Sequence, residues 1–191
     1  FPLNFTISNF ENVTGTNFND IITGNAQDNV LIGNAGNDAV VGNAGNDTFI
    51  GGAGNDSLNG GLGTDTVNYS TLGQVITLGP TGIVTKAGGL GTDTLFQVDN
   101  IIASTLLGDT IDASTALAPA TGIVANLTTN TLTANGVGVP FPLNFTISNF
   151  ENVTGTNFDD TIAGNNQNNI LLGNAGNDIL IASAGDDTLS G

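Results

Sequence analysis

The chain has 191 residues, of which 17 are acidic and one is basic, and with no Arg, His or Cys its net charge is −16. This charge argues against nucleic acids and anionic membrane surfaces as partners and favours cations. Without His or Cys, the usual general base, thiol nucleophile and zinc ligands of enzymes are missing. Since 39% of the residues are hydrophobic and only 9% are charged, we expect a folded chain that is not an enzyme.

The first part of the chain changes from alternating apolar residues to a strict repeat. Residues 3–14 (LNFTISNFENVT) alternate and predict strands that enter a coil. Residues 15–68 then repeat every nine residues, most clearly as GNAGNDAVV, GNAGNDTFI and GGAGNDSLN over 33–59. Each repeat is a glycine-rich turn followed by three residues with a large apolar one in the middle. Because such short strands are not stable alone, the repeats must stack to bury that residue.

Further along the chain the period loosens. Residues 73–87 predict two short strands, VITL and GIVT, and residues 88–96 (GGLGTDTLF) form one more complete repeat. Residues 98–114 resemble the opening of the first coil and predict a degenerate coil. Residues 115–140 predict a loop followed by strand, turn and strand (IVANL and TLTA). No helix is predicted, because 28 glycines and frequent Thr, Val and Ile oppose one.

A long internal repeat organises the whole chain. Residues 1–18 recur unchanged 140 positions later, and 36 of the 51 positions of 1–51 match 141–191. The chain therefore looks like an excerpt of a tandem array. The predicted domains are one full unit at 1–140, with a nonapeptide roll at 15–68 and degenerate coils and a connector at 69–140, and the start of the next unit at 141–191, with its roll at 155–191.

The acidic residues fall at the sixth position of each repeat. Alternate repeats lie on opposite edges of a roll, so neighbours on one edge are about 4.8 Å apart. Two carboxylates at this distance repel by roughly 1 kcal/mol in water and by more at a lower dielectric. A hard divalent cation reverses this repulsion, and calcium prefers carboxylate and carbonyl oxygens. The predicted first row is Asp20, Asp38 and Asp56; the second row is Asn29, Asp47 and Asp65; the next unit pairs Asp160 with Asp178 and Asn169 with Asp187.

These repeats resemble the glycine-rich nonapeptide (RTX, haemolysin-type) calcium-binding repeats, of consensus G-G-x-G-x-D-x-U-x. The resemblance covers six repeats from Gly15 and four from Gly155. It implies an all-β, right-handed parallel β-roll with two repeats per coil, and several calcium ions per unit, each between turns two repeats apart. It also implies folding after secretion by a type I system. The turn glycines that would supply carbonyl ligands are Gly33, Gly36, Gly42, Gly45, Gly51, Gly54, Gly60 and Gly63.

Several positions depart from the consensus. Asn29 and Asn169 carry no charge, and Gln27 and Gln167 stand where glycine is usual, so these turns are expected to bind calcium weakly or not at all. Asp93 and Asp109 are also candidate metal ligands. Because they lie in isolated or degenerate repeats, plain turn residues are an equal alternative.

Two functions remain open at this stage. The first is a structural protein, a calcium-rigidified extracellular solenoid that forms a surface layer, fibril or sheath. The second is the secretion and folding module of an RTX-type adhesin, toxin or hydrolase. A carboxylate-based polysaccharide-cleaving site is disfavoured because the aspartates repeat identically, whereas catalysis needs an asymmetric cluster. No run of 18 apolar residues predicts a membrane span.

An apolar outer surface favours self-association. Positions seven and nine of a repeat face outwards and should be polar on a solitary roll. A contiguous apolar patch there predicts lateral or end-to-end assembly, unless residues 73–87 or 121–147 cover it. The apolar outward residues are Val30, Ile32, Ala39, Val41, Ile50, Ile170, Leu172, Ile179 and Ile181.

Overall fold

The computed structural model describes residues 4–6, 10–116, 122–134 and 143–191. The parts of the predicted segments 3–14 and 115–140 that fall in the gaps lie outside the described residues. Within the described residues there are 21 β-strands and no helix. The strands are β1 (Asn4–Thr6), β2 (Asn12–Thr14), β3 (Ile21–Thr23), β4 (Val30–Ala35), β5 (Ala39–Ala44), β6 (Thr48–Ala53), β7 (Ser57–Leu62), β8 (Thr66–Asn68), β9 (Ile76–Leu78), β10 (Ile83–Lys86), β11 (Gly91–Phe96), β12 (Asn100–Ile102), β13 (Thr110–Asp112), β14 (Ile123–Asn126), β15 (Thr131–Ala134), β16 (Leu143–Ser148), β17 (Asn152–Thr154), β18 (Thr161–Ala163), β19 (Ile170–Leu172), β20 (Ile179–Ile181) and β21 (Thr188–Ser190).

The strands form two compact units, one from residues 1–74 and 82–102 and the other from residues 75–81 and 103–191. In the first unit alternate strands go to two sheets, in the orders β1-β3-β5-β7-β11-β10 and β2-β4-β6-β8-β12. The repeats pair in parallel with a constant register, so that Leu31 lies opposite Phe49 and Val40 opposite Leu58. Partners are two nonapeptides apart, and the fold is the all-β roll that the sequence predicts.

The middle residue of each repeat points into the core between the two sheets. Each of these side chains is at most 4% exposed. Burying such a side chain contributes about 1.5–3 kcal/mol, so the stack gains stability with every coil. The core residues of the first roll are Ile22, Leu31, Val40, Phe49, Leu58 and Val67.

The central strands are longer than the predicted three residues. Strands β4, β5, β6 and β7 have six residues each, because the first three residues of the following turn also pair with their neighbours. Asn34 pairs with Gly52 and Ala35 with Ala53. The bend within these strands lies at residues of positive φ, 76° at Asn34 and 96° at Gly52. Asn is tolerated there because it enters the left-handed region more readily than other non-glycine residues.

The degenerate part of the first unit interrupts the parallel stack. Strand β11 pairs in parallel with β7, as a complete repeat at 88–96 predicts, with Thr94 opposite Ser57. Strand β10, one of the two predicted at 73–87, runs antiparallel to β11 and places Lys86 opposite Gly91. The insertion therefore brings one antiparallel strand beside the roll.

The second unit combines a parallel stack with a meander. Its sheets have the orders β9-β13-β17-β19-β21 and β16-β15-β14-β18-β20. Strands β14 and β15 are the predicted strand-turn-strand and are antiparallel, with Ala125 opposite Leu132. Strand β16 is also antiparallel to β15. The described residues include no helix long and apolar enough to cross a membrane.

Candidate calcium sites in the turns

The sixth-position residues of the first unit form the two predicted rows. In each row the backbone N–H of one residue donates to a carboxylate oxygen of the residue 18 positions later. Asp38 donates to Oδ1 of Asp56 at 3.0 Å. Asp47 donates to Oδ1 of Asp65 at 2.9 Å. The same bond links Asp20 to Asp38 and Asn29 to Asp47, both at 2.8 Å.

The second unit repeats this geometry with its own residues. The N–H of Asp160 donates to Oδ1 of Asp178 at 3.0 Å. The N–H of Asn169 donates to Oδ1 of Asp187 at 2.9 Å. The structure therefore brings together every neighbouring pair that the sequence predicts for the two rows.

Burial raises the proton affinity of these carboxylates. It raises the pKa values of Asp38, Asp47 and Asp65, and the bond from the preceding backbone N–H partly opposes it. Neighbouring carboxylates add to the increase, as Asp56 and Asp20 do for Asp38. The rows thus hold negative charge where it is poorly solvated, and a cation in the row would relieve this cost.

One oxygen of several carboxylates has no partner in the described structure. Oδ2 of Asp38, Oδ2 of Asp47 and Oδ2 of Asp65 are buried and accept no hydrogen bond there. An unpaired buried oxygen of an ionised carboxylate is costly, and buried charges are normally paired or bound to metal. These three oxygens therefore fit the ligand role that the sequence predicts for them.

Backbone carbonyls converge on the same places. A Cβ added to Gly33 would collide with Oδ2 of Asp38 and with the carbonyl oxygen of Gly51. Gly42 has the equivalent neighbours one repeat later. A side chain at these glycines would separate the carboxylate from the carbonyl. Calcium prefers such a mixture of hard oxygen donors at flexible distances.

The eight predicted turn glycines divide into two groups. Gly33, Gly42, Gly51 and Gly60 allow the close approach of oxygens just described. The other four have φ values from 114° to 134°, which L-residues with a side chain rarely adopt. This second group contains Gly36, Gly45, Gly54 and Gly63.

The carboxylates meet as pairs along each row. Among the described residues, no three acidic side chains gather around one point. A calcium ion takes six to eight oxygen ligands. The remaining ligands of an ion bound in a row would therefore be carbonyls and water, which the repeated turns can present at every step.

The neutral members of the rows use their amides locally. Oδ1 of Asn29 accepts from the N–H of Asn25 at 2.8 Å. Nδ2 of Asn169 donates to the carbonyl of Glu151 at 2.8 Å. These amides thus have partners in the protein, in contrast with the unpaired oxygens of the aspartates. Weaker binding at the two asparagines stays a prediction.

The two aspartates of the irregular repeats have protein partners. Asp93 extends the first row, because its Oδ1 accepts from the N–H of Asp56 at 3.1 Å, but it also accepts from Nζ of Lys86 at 2.5 Å. Burial raises the pKa of Asp93 to about 6, although Lys86 lowers it. Asp109 accepts from the N–H of Ile76 at 2.5 Å and from Oγ of Ser104 at 2.7 Å.

Two acidic members of this arrangement were not predicted. Asp99 extends the second row, since the N–H of Asp65 donates to its Oδ2 at 2.8 Å. Glu151 accepts from the N–H groups of Gly108 and Asp109, both at 3.0 Å. The signal was an acidic residue followed by Asn immediately before a strand, in VDNII and FENVT. The nine-residue frame does not include either residue, so position six alone misses them.

The fifth position carries a row of its own, which the sequence analysis also missed. Oδ1 of Asn19 accepts from the N–H of Asn37, and Oδ1 of Asn37 accepts from the N–H of Asn55, both at 2.8 Å. Oδ1 of Asn55 accepts from the N–H of Thr92 at 2.7 Å. These side chains link successive turns without charge, so the turns are held in register beside the carboxylates.

A parallel roll whose turns present paired carboxylate and carbonyl oxygens defines a class of calcium-binding repeat protein. A model of the RTX calcium-binding nonapeptide repeat family matches residues 14–49, 32–67 and 154–189. Through these segments the chain belongs to the RTX repeat family, which confirms the resemblance seen in the sequence. That family is a calcium-binding repeat and not a catalytic family. Comparison with curated proteins gives no match.

Proposed function

We propose that this chain is an extracellular structural protein, a solenoid that several calcium ions per unit make rigid and that builds a surface layer, fibril or sheath. The observation that carries this proposal is the row of buried carboxylate oxygens without a partner at Asp38, Asp47 and Asp65. The ions would link turn to turn along each edge. RTX repeats are typical of secreted bacterial proteins, which supports the extracellular setting.

The two copies of the repeated segment support an array of units. Phe10 is 62% exposed, whereas the equivalent Phe150 is 2% exposed. Glu11 is exposed, whereas the equivalent Glu151 is buried and accepts from the N–H of Asp109. The same sequence thus offers an open surface in one copy and a covered one in the other. A preceding 140-residue unit would cover Phe10 as residues of the second unit cover Phe150.

A lengthened chain tests this proposal. The chain has no Trp, so Phe10→Trp and Phe150→Trp are unique fluorescent probes. With calcium, Trp emission should be open to a soluble quencher in the Phe10→Trp variant and protected in the Phe150→Trp variant. When a further copy of residues 1–140 is fused ahead of the chain, the first probe should become protected. Persistent quenching would contradict stacking of the units.

Rigidity distinguishes a structural role from other roles. In small-angle scattering the lengthened chain should behave as a rod whose maximum dimension grows with the added unit only when calcium is present. Two compact bodies joined flexibly, with or without calcium, would contradict the proposal. Phe96→Trp, at a side chain that is 50% exposed in the first unit, is the matched probe that should remain open in both chains.

The alternative function is a secretion and folding module of an RTX-type adhesin, toxin or hydrolase that a type I system exports. Its support is the family itself and the expected coupling of folding to calcium. In this case the roll needs to fold only once, and units need not stack. The full-length sequence would distinguish the two functions, because a module accompanies an adhesive or catalytic domain whereas an array consists mainly of further units.

Assembly between chains is also proposed, but on a smaller surface than the predicted patch. Ile32 and Ile50 are only half-buried and line a groove together with Tyr69, Leu72 and Leu90, so part of the predicted patch faces neighbouring residues. The apolar side chains that remain well exposed in the second unit are Ile170, Ile179 and Ile181. Replacing them with Thr should keep the calcium-bound fold and reduce higher-order particles in light scattering and electron micrographs.

A further inference from the structure

We propose that the ammonium group of Lys86 takes the place of a calcium ion between Asp56 and Asp93, so that this pair of the first row is closed without metal. The inference rests on the proposed calcium sites of the other pairs. It assigns a role to the one basic residue of the chain. Its consequence is that one step of the row does not depend on calcium.

The contacts of Lys86 are those expected of a bound cation. Nζ lies 2.5 Å from Oδ1 of Asp93, 3.1 Å from Oδ2 of Asp56 and 2.7 Å from the carbonyl oxygen of Gly52. The side chains of all three charged residues are fully buried. Two carboxylates and a turn carbonyl therefore surround one positive charge, which is the mixture of oxygens that calcium would otherwise use.

The neighbouring pairs provide the contrast. Oδ2 of Asp38 and Oδ2 of Asp47 are buried without a partner in the described structure. Oδ2 of Asp56, at the same position of its turn, has Lys86 instead. The oxygen that is unpaired elsewhere in the rows is thus paired only where the lysine reaches it. Because Lys has three donors and no acceptor, it satisfies oxygens as a metal ion does.

Tyr69 completes the pairing of this step. Its hydroxyl donates to Oδ2 of Asp93 at 2.9 Å, and the ring is buried. Both oxygens of Asp93 therefore have protein donors. The phenol also excludes water from the pair, which strengthens the attraction between Lys86 and its two carboxylates.

The insertion in the roll delivers the lysine. Strand β10 is antiparallel to β11, and its buried positions are Val84 and Lys86. The register places Val84 opposite Asp93 and Lys86 opposite Gly91. A regular nonapeptide would continue the parallel stack, and its turn would have no side chain in this place. The irregular strand therefore supplies a tethered cation at the end of the first row.

Calcium stoichiometry tests the inference. Lys86→Met removes the charge and keeps a long apolar side chain, and it should raise the number of bound calcium ions by one in native mass spectrometry. Thr85→Met, at an exposed position of the same strand, is the control and should leave that number unchanged. An unchanged number in a folded Lys86→Met variant would overturn the inference.

Tyr69 gives an independent measurement, because it is the single Tyr of a chain without Trp. In metal-free buffer the Tyr69 fluorescence of the unsubstituted chain should resist acrylamide. In Lys86→Met the same emission should be quenched and should recover when calcium is added. Equal quenching of the two metal-free chains would contradict a calcium-independent step, even if calcium binding elsewhere failed and removed the proposed function.

A double variant covers the case in which Lys86→Met does not fold. Lys86→Met with Asp93→Asn removes one cation and one carboxylate, so it should fold with calcium and bind the same number of ions as the unsubstituted chain. Recovery of the fold in the double variant supports charge pairing by Lys86. If the double variant bound one more ion than the unsubstituted chain, the carboxylate of Asp93 would not be part of this site.

Discussion

The backbone N–H of Asp38 donates to Oδ1 of Asp56 at 3.0 Å, while Oδ2 of Asp38 is buried without a partner in the described structure. One half of the Asp56 carboxylate thus stabilises the stack, whereas the second oxygen of Asp38 opposes it. The same division recurs at Asp47 and Asp65. A roll of this kind gains backbone hydrogen bonds with each coil and also accumulates charge, so its stability depends on what neutralises the rows.

Removing calcium should therefore unfold the regular rolls. We expect circular dichroism to show mostly disordered chain in excess chelator at low salt, and a β spectrum when calcium is added at about millimolar, extracellular concentrations. Magnesium at the same concentration is the control, because it requires a stricter octahedral geometry. An unchanged β spectrum in chelator would contradict calcium-coupled folding.

Charge at Asn29 should decide the strength of its site. Asn29→Asp adds a second carboxylate opposite Asp47 and should tighten calcium binding, by about tenfold if the gain is near 1.4 kcal/mol. Asn37→Asp, at the exposed fifth position, adds the same charge outside the rows and is the matched control. Calorimetric titration would compare the variants. Equal affinity for the two variants would count against the assignment of Asn29 to the second row.

Acid should partly replace calcium. Burial raises the folded-state pKa values of Asp38, Asp47 and Asp65 above 3.8. Their contribution to stability is therefore present below pH 3.8 and is lost as the pH rises through the raised values.

In metal-free buffer, thermal melts should show a more stable roll near pH 4 than near pH 7, by at most about 1.4 kcal/mol per group and pH unit. With saturating calcium the direction should reverse, because protons then compete with the ions. Melting temperatures that fall on acidification without metal would show that the carboxylates are not destabilising.

The close approach at Gly33 should make this position intolerant of any side chain. A Cβ there would collide with Oδ2 of Asp38 and the carbonyl oxygen of Gly51, at a calcium site and within the stack. Gly33→Ala should cost about 1–3 kcal/mol, as overpacking does, and should also weaken calcium binding. Gly191→Ala has nothing within 4 Å and should be neutral in the same calcium-dependent melts.

The regular part of the molecule was predictable because its physics is local and periodic. A large apolar residue every nine positions, such as Leu31 and Phe49, and an acid at position six suffice to indicate coils of two repeats and rows of paired carboxylates. Lys86 could not be placed in this way, because its position depends on an antiparallel strand that no period specifies.

Identical sequence gave different structure in one case, and this limits prediction by pattern. Strand β1 pairs in parallel with β3, whereas the same residues in β16 pair antiparallel with β15. Phe5 lies opposite Ile22, and Phe145 opposite Leu132. The partner that each segment meets decides the pairing, and the partner is not part of the repeated sequence. The same reason explains why Asp99 and Glu151 were missed.

The bond from the N–H of Asp56 to Asp93 spans 37 positions, whereas its equivalents in the regular rows span 18. The extra residues leave the row through one turn and return to it at the next coil. Chain length between coils is thus free to vary while the stacking distance stays fixed. Such a roll can accept foreign peptide at its turns, which makes the stretch after Tyr69 a natural insertion point for an epitope, an enzyme or an affinity tag displayed on an otherwise uniform scaffold.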